Sequence, residues 1–136
     1  MADTIKRADY YYIQIKDQPG EGFRILGKLK EAGVNLINFT AFPIEGGQSQ
    51  IDFVPENGEA FLKAAKAAGL TVSAKKRCFF IQGKDHVGAV AEIARKLGEA
   101  KINAHAANAS CAGGSYGMIL WVKPQQYDAA AKALGL

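Results

Sequence analysis

Most of this 136-residue chain is written twice. The run Asp17-Gln18-Pro19-Gly20, followed by Glu31-Ala32-Gly33-Val34-Asn35, returns as Asp85-His86-Val87-Gly88 and Glu99-Ala100-Lys101-Ile102-Asn103. The turn glycine and the asparagine are 15 residues apart in both copies (20 to 35, 88 to 103). Around them Ile13 pairs with Ile81, Ile25 with Ile93, Leu29 with Leu97, Gly46 with Gly114 and Ile51 with Ile119, all at an offset of 68. That period exceeds a solenoid unit, so each copy reads as a small domain, residues 1–75 and 76–136. Domains this small bury only about 60% of their unfolded surface. The copies are therefore expected to pack on each other and on a second chain, as a homodimer.

The order of elements follows from local pattern. Tyr10 to Lys16 alternates as a strand does, with Tyr11, Ile13 and Ile15 on one face. Pro19 and Gly20 stop it, and Asp17 is a suitable helix cap. Glu21 to Ala32 reads as a helix with Phe23, Leu26 and Leu29 inward, closed by Gly33. Val34 to Phe42 and Gln48 to Val54 are strands joined by a turn at Gly46-Gly47; Glu59 to Ala68 is a helix and Leu70 to Ala74 a final strand. The second copy repeats this order, with Val90, Ile93, Ala94 and Leu97 on one helix face. It has no final strand after Gly135-Leu136, and Thr4 to Arg7 is the expected replacement, within one chain or across a dimer. The fold class is α+β: two βαββαβ units, each an antiparallel four-stranded sheet with helices on one face.

This order, with Asp-x-Pro-Gly at the first turn and Gly-Val-Asn-Leu leading into the second strand, resembles the ACT domain, a ferredoxin-like regulatory module of amino-acid metabolism. The likeness spans essentially the whole chain as two tandem copies. It implies a non-enzymatic regulatory protein that binds a small ligand, most often a free amino acid, where two modules meet. By motif the first copy offers Asp17, Gln18, Pro19, Gly20, Asn35 and Leu36. The second offers Asp85, His86, Gly88, Asn103 and Ala104. Physical chemistry agrees: a helix start suits a carboxylate, an aspartate takes an ammonium group, and an asparagine amide both donates and accepts. Val87 replaces the proline in the second copy, so the first is expected to bind if only one does. A scaffold reading stands beside this, in which the aspartates cap, the glycines turn and the asparagines satisfy backbone.

With Tyr11, Ile13, Ile51, Phe53, Phe79, Ile81, Ile119 and Trp121 toward the helices, the opposite face carries Tyr10, Tyr12, Phe80, Met118 and Leu120. So much apolar surface calls for a partner, and sheet-on-sheet dimerisation is favoured over stacking of single-stranded RNA. Net charge is a mild +4, and its one cationic run, Lys75-Lys76-Arg77, is a weak nucleic-acid footprint. No apolar run approaches the ~20 residues of a membrane span, and Met1 to Arg7 lacks a secretory apolar core. The expectation is a cytoplasmic protein with no membrane partner. Cys78 and Cys111 have no metal or redox spacing and read as buried inert thiols. Neither histidine sits in a nucleophile or metal motif, so no catalytic residue, metal or cofactor is expected.

Overall fold

The computed structural model describes residues 3–136. Met1 and Ala2, part of the stretch expected to supply an extra strand, lie outside the described residues. The elements run β1 (Thr4–Lys16), α1 (Glu21–Glu31), β2 (Leu36–Ile44), β3 (Gln48–Pro55), α2 (Gly58–Ala67), β4 (Lys76–Lys84), α3 (Ala89–Glu99), β5 (Ala106–Ala112), β6 (Ser115–Trp121) and α4 (Tyr127–Ala133). A 3₁₀ turn, Pro124–Gln126, leads into α4. The architecture is the α+β, ferredoxin-like one that the repeat implies. Two compact units divide the chain: Asp9–Lys76 is one, and Arg77–Leu136 with the chain through Ala8 is the other.

In the Asp9–Lys76 unit the strands lie in the order β2-β3-β1, with Tyr11 opposite Phe53 and Ile13 opposite Ile51. Partners across antiparallel strands share a face, so these four form one apolar surface. Ile25 and Leu29 of α1 and Phe61 of α2 close over it, and Phe61 stands 5.3 Å from the Tyr11 ring and 5.2 Å from that of Phe53. Phe23 corrects the helical reading. Ile25 and Leu29, four residues apart, define the buried stripe with Leu26 at its border, and Phe23 falls outside it, 83% exposed. The expected final strand over 70–74 is not formed. Ser73 N–H donates to the Tyr12 carbonyl (3.0 Å), but its side-chain Oγ accepts from Tyr12 N–H (2.9 Å) where a strand would offer a carbonyl.

In the other unit the order is β1-β4-β6-β5, with the Thr4–Ala8 stretch of β1 beside β4. Its core gathers Phe79, Ile81, Ile93, Leu97 and Tyr127, with Ile5 packed against it. The Phe79 and Tyr127 rings stack at 4.5 Å. Ala94, expected inward, is exposed; Ala89, Ile93 and Leu97 form the buried stripe, with Val90 partly buried beside it.

The faces of β6 are the reverse of those expected. Phe79 pairs with Leu120 and Ile81 with Met118, so Met118 and Leu120 belong to the helix-side core, while Ile119 pairs with Phe80 on the opposite face, where Trp121 also falls. The cause lies in the hairpins. Ile44 and Gln48 flank three residues in the first copy, whereas Ala112 and Ser115 flank two in the second. Glu45 therefore has no counterpart, and the offset drops from 68 to 67. Ile51 corresponds to Met118 rather than Ile119, and a one-residue slip exchanges the two faces of a strand. Tyr10, Tyr12 and Phe80 are half-buried rather than open to solvent.

Candidate functional site

Both strand-to-helix turns are built alike. Asp17 N–H donates to Gly47 O (2.9 Å) and Asp85 N–H to Gly114 O (3.0 Å), tying each turn to the hairpin tip of its own copy. The helices start at Gly20 (φ 92°) and Gly88 (φ 77°), in the left-handed region that favours glycine. Among the described residues no side chain caps either helix, which corrects the capping role expected of the aspartates. Asp17, Gln18, Pro19, Asp85, His86 and Val87 are all exposed.

The second turn carries more. Asp85 Oδ1 accepts a hydrogen bond from Cys111 Sγ at 3.2 Å. That bond first, and then burial, raises the Cys111 pKa and favours the neutral thiol. Cys111 is exposed, which corrects its reading as a buried residue; Cys78 is buried. His86 Nδ1 is 3.1 Å from the carbonyl of Val87. Asp85, His86 and Gly88 border a cavity of about 270 Å³ whose other walls include Ala91, Ser110, Cys111 and Tyr116. Ala91 and Ser110 stand where the first copy has Phe23 and Phe42, 68 residues earlier. Both phenylalanines are exposed at the matching turn, at 83% and 39%. Cys111 and these small-for-large exchanges were visible in the repeat, but turn motifs alone do not point to them.

The asparagines stand elsewhere. Asn35 Nδ2 donates to Glu56 Oε2 (3.0 Å), and Glu56 N–H donates to Asn35 O (3.0 Å). Leu36 packs against the core, while Asn103 and Ala104 are exposed. The nine residues of β2 separate Asn35 from the hairpin end where Asp17 is anchored, roughly 30 Å at about 3.3 Å per residue. A single copy does not bring its turn and its asparagine together. The cationic run is occupied by aromatic faces: Lys76 Nζ lies 6.0 Å from the Tyr12 ring centroid and Arg77 Cζ 4.1 Å from that of Tyr127. Among the described residues no group of three or more His, Cys, Asp or Glu is placed to hold a metal ion. No described helix is long and apolar enough to cross a membrane.

No family model matches the sequence, and no curated protein does. Solved structures do. A protein of Bacteroides thetaiotaomicron aligns over 96% of this chain and 88% of its own, with a TM-score of 0.82 at 14% identity. The ligand-free regulatory subunit of aspartate kinase from Thermus thermophilus aligns over 97% and 93%, with a TM-score of 0.67 at 16% identity. A putative C-terminal regulatory domain of aspartate kinase from Porphyromonas gingivalis aligns over 98% and 94%, with a TM-score of 0.59 at 13% identity. At such identities the likeness is one of fold, the ferredoxin-like α+β arrangement read from the repeat.

Proposed function

We propose that this chain is a non-enzymatic, cytoplasmic tandem ACT protein that binds a free amino acid and regulates a partner in amino-acid metabolism. The observation that carries this is the cavity at the Asp85–Gly88 turn. The start of α3 borders it, its positive dipole end suited to a carboxylate, and the Asp85 carboxylate stands beside it for an ammonium group. The regulatory role draws on the aspartate-kinase regulatory neighbours. We place the ligand at the second turn, because a cavity borders it. Asn35 and Asn103, remote from the turns of their own copies, serve either a neighbouring copy's pocket or the scaffold.

A thermal-shift screen of the intact protein against the twenty amino acids tests this. A ligand at 100 times its Kd adds about 2.7 kcal/mol of stability, and the gain should vanish in Asp85→Ala and survive in Asp17→Ala. Silence across the panel sinks the proposal. A second reading, a purely structural homodimerisation module, is favoured by one observation: Phe23, Phe39 and Phe42 are all substantially exposed, Phe39 and Phe42 on the edge strand β2. It predicts a stable dimer that ignores amino acids.

A further inference from the structure

The exposed apolar surface of the Asp9–Lys76 unit gathers on α1 and β2, where Phe23, Ile37, Phe39 and Phe42 are 83%, 39%, 49% and 39% exposed. β2 is the outer strand of the order β2-β3-β1 and carries no charged residue from Leu36 to Ile44. Sheet edges are normally guarded by charge, proline or a bulge. Here Pro43 and the bulge between Leu36 and Asn38 stand towards the two ends and leave the middle of the edge unguarded. Taking about 200 Å² for each of the four side chains, they offer roughly 400 Å² of apolar surface, about half of the ~800 Å² that each partner of a standard interface buries. The other copy is built without this surface: Ala91, His105, Ala107 and Ser110 occupy the matching positions, 68 residues on.

The same face holds a projection and a recess. Phe23, Leu26 and Lys30 fall on one side of α1, at i, i+3 and i+7. Leu26 and Lys30 border a groove of about 490 Å³ between the end of α1 and the start of β2, with Gly33, Val34, Leu36 and Phe39 on its walls. Phe23 stands outside that groove, about 10 Å before Lys30 along the helix. A twofold axis through an antiparallel pair of α1 helices exchanges the two positions, and in such a contact each partner supplies both projection and recess. The groove suits an aromatic ring: its walls are mostly apolar, Gly33 adds no side chain, and the Lys30 ammonium at its rim can lie over a ring face.

We propose that the face formed by α1 and β2 is an interface between two copies of this chain, a twofold dimer in which Phe23 of each copy fills the groove at Gly33 of the other. The uncharged edges of β2, with Phe39 and Phe42, are covered beside that contact and supply the rest of the apolar area. This is the interface of the homodimer in the second reading above, on which it rests, and it includes no residue of the Asp85–Gly88 turn. Phe23 is the anchor, as a large aromatic seated in a partner's recess commonly is.

Sedimentation velocity of the full chain, with amide NMR on dilution, tests the assignment. At roughly 100 μM the parent should sediment as a dimer, since a Kd near 1 μM would leave little monomer. Phe23→Ala installs the residue of the other copy at an exposed position, so the fold stands, and it should weaken the dimer roughly tenfold or more. Val87→Ala, at a fully exposed apolar residue of the other copy, should leave the dimer unchanged. The Gly33 and Val34 amide resonances should move on dilution of the parent and hold still in Phe23→Ala. A parent that stays monomeric at that concentration overturns this interface and the homodimer reading together. A dimer that is as tight in Phe23→Ala, that is weakened as much by Val87→Ala, or that leaves the Gly33 and Val34 amides silent overturns this interface alone.

Discussion

Tyr116 gives the fold an alkaline limit that can be computed. Its side chain is 3% exposed, and its ring leans across Gly83, where an added Cβ would come within 2.7 Å of Tyr116 Cε1. The buried hydroxyl makes no hydrogen bond of sound geometry among the described residues. Burial first, and then the Asp3 carboxylate, raise the phenol from 10.0 to about 12. An unfolded chain ionises this tyrosine at about 10, so the folded state holds the proton more tightly. Its contribution to stability is complete below pH 10 and is lost as pH rises from 10 through 12. At 1.36 kcal/mol per pH unit the loss is about 1.4 kcal/mol by pH 11 and approaches about 2.7 kcal/mol above pH 12. Tyr116→Phe removes the titration. Urea unfolding of both proteins at pH 8 and pH 11 should show the parent losing about 1.4 kcal/mol more than the variant. A stability difference that does not change with pH, or a Tyr116 phenolate that appears near pH 10 in ultraviolet difference spectra of the folded protein, refutes the reasoning.

Three further outcomes follow from the same geometry. Lys101, at φ 59°, is the one non-glycine with positive φ among the described residues and stands where the first copy has Gly33; Lys101→Gly should stabilise by about 1 kcal/mol in urea melts. Phe61 is fully buried between the Tyr11 and Phe53 rings, so Phe61→Ala should cost about 3–5 kcal/mol by the same assay. The pair Ala91→Phe and Ser110→Phe, which gives the second turn the residues of the first, should abolish ligand-induced thermal shifts assigned to that turn while the parent keeps them.

The order of elements was legible because each is announced by local chemistry. Gly20, Gly33, Gly69 and Gly88 adopt positive φ at the turns where the pattern required them, and the strand alternation at Tyr11 and Ile13 leaves one solution for the core. Face assignment on β6 failed for a reason local pattern does not contain. Tyr116, Met118 and Leu120 alternate with Gly117, Ile119 and Trp121, and both sets are apolar enough to face a core; only the length of the preceding hairpin decides between them. Phe23 misled in a related way. It is large and apolar, and the helical period allowed a stripe through it, but the packed stripe runs through Ile25 and Leu29. At the candidate site the turns were legible and the far wall was not, because Ala109, Ser110, Cys111 and Tyr116 come from β5 and β6, more than twenty residues beyond the motif.

The repeat makes each copy a control for the other. Ile13, Ile25 and Leu29 recur as Ile81, Ile93 and Leu97 and are buried in both copies, so the same packing problem is solved twice with the same residues. Exchanges that packing does not demand then stand out. Phe23 and Phe42 against Ala91 and Ser110 leave an opening at the turn end of the second copy. Tyr11 and Gly58 against Phe79 and Pro124 leave another at the α2 start of the first. Each exchange alters the lining of an opening and spares the core beneath it. Other exchanges lie away from both openings, Phe39 against Ala107 and Ile37 against His105 among them, so the openings stand on their geometry alone and the thermal-shift screen decides whether either binds a ligand.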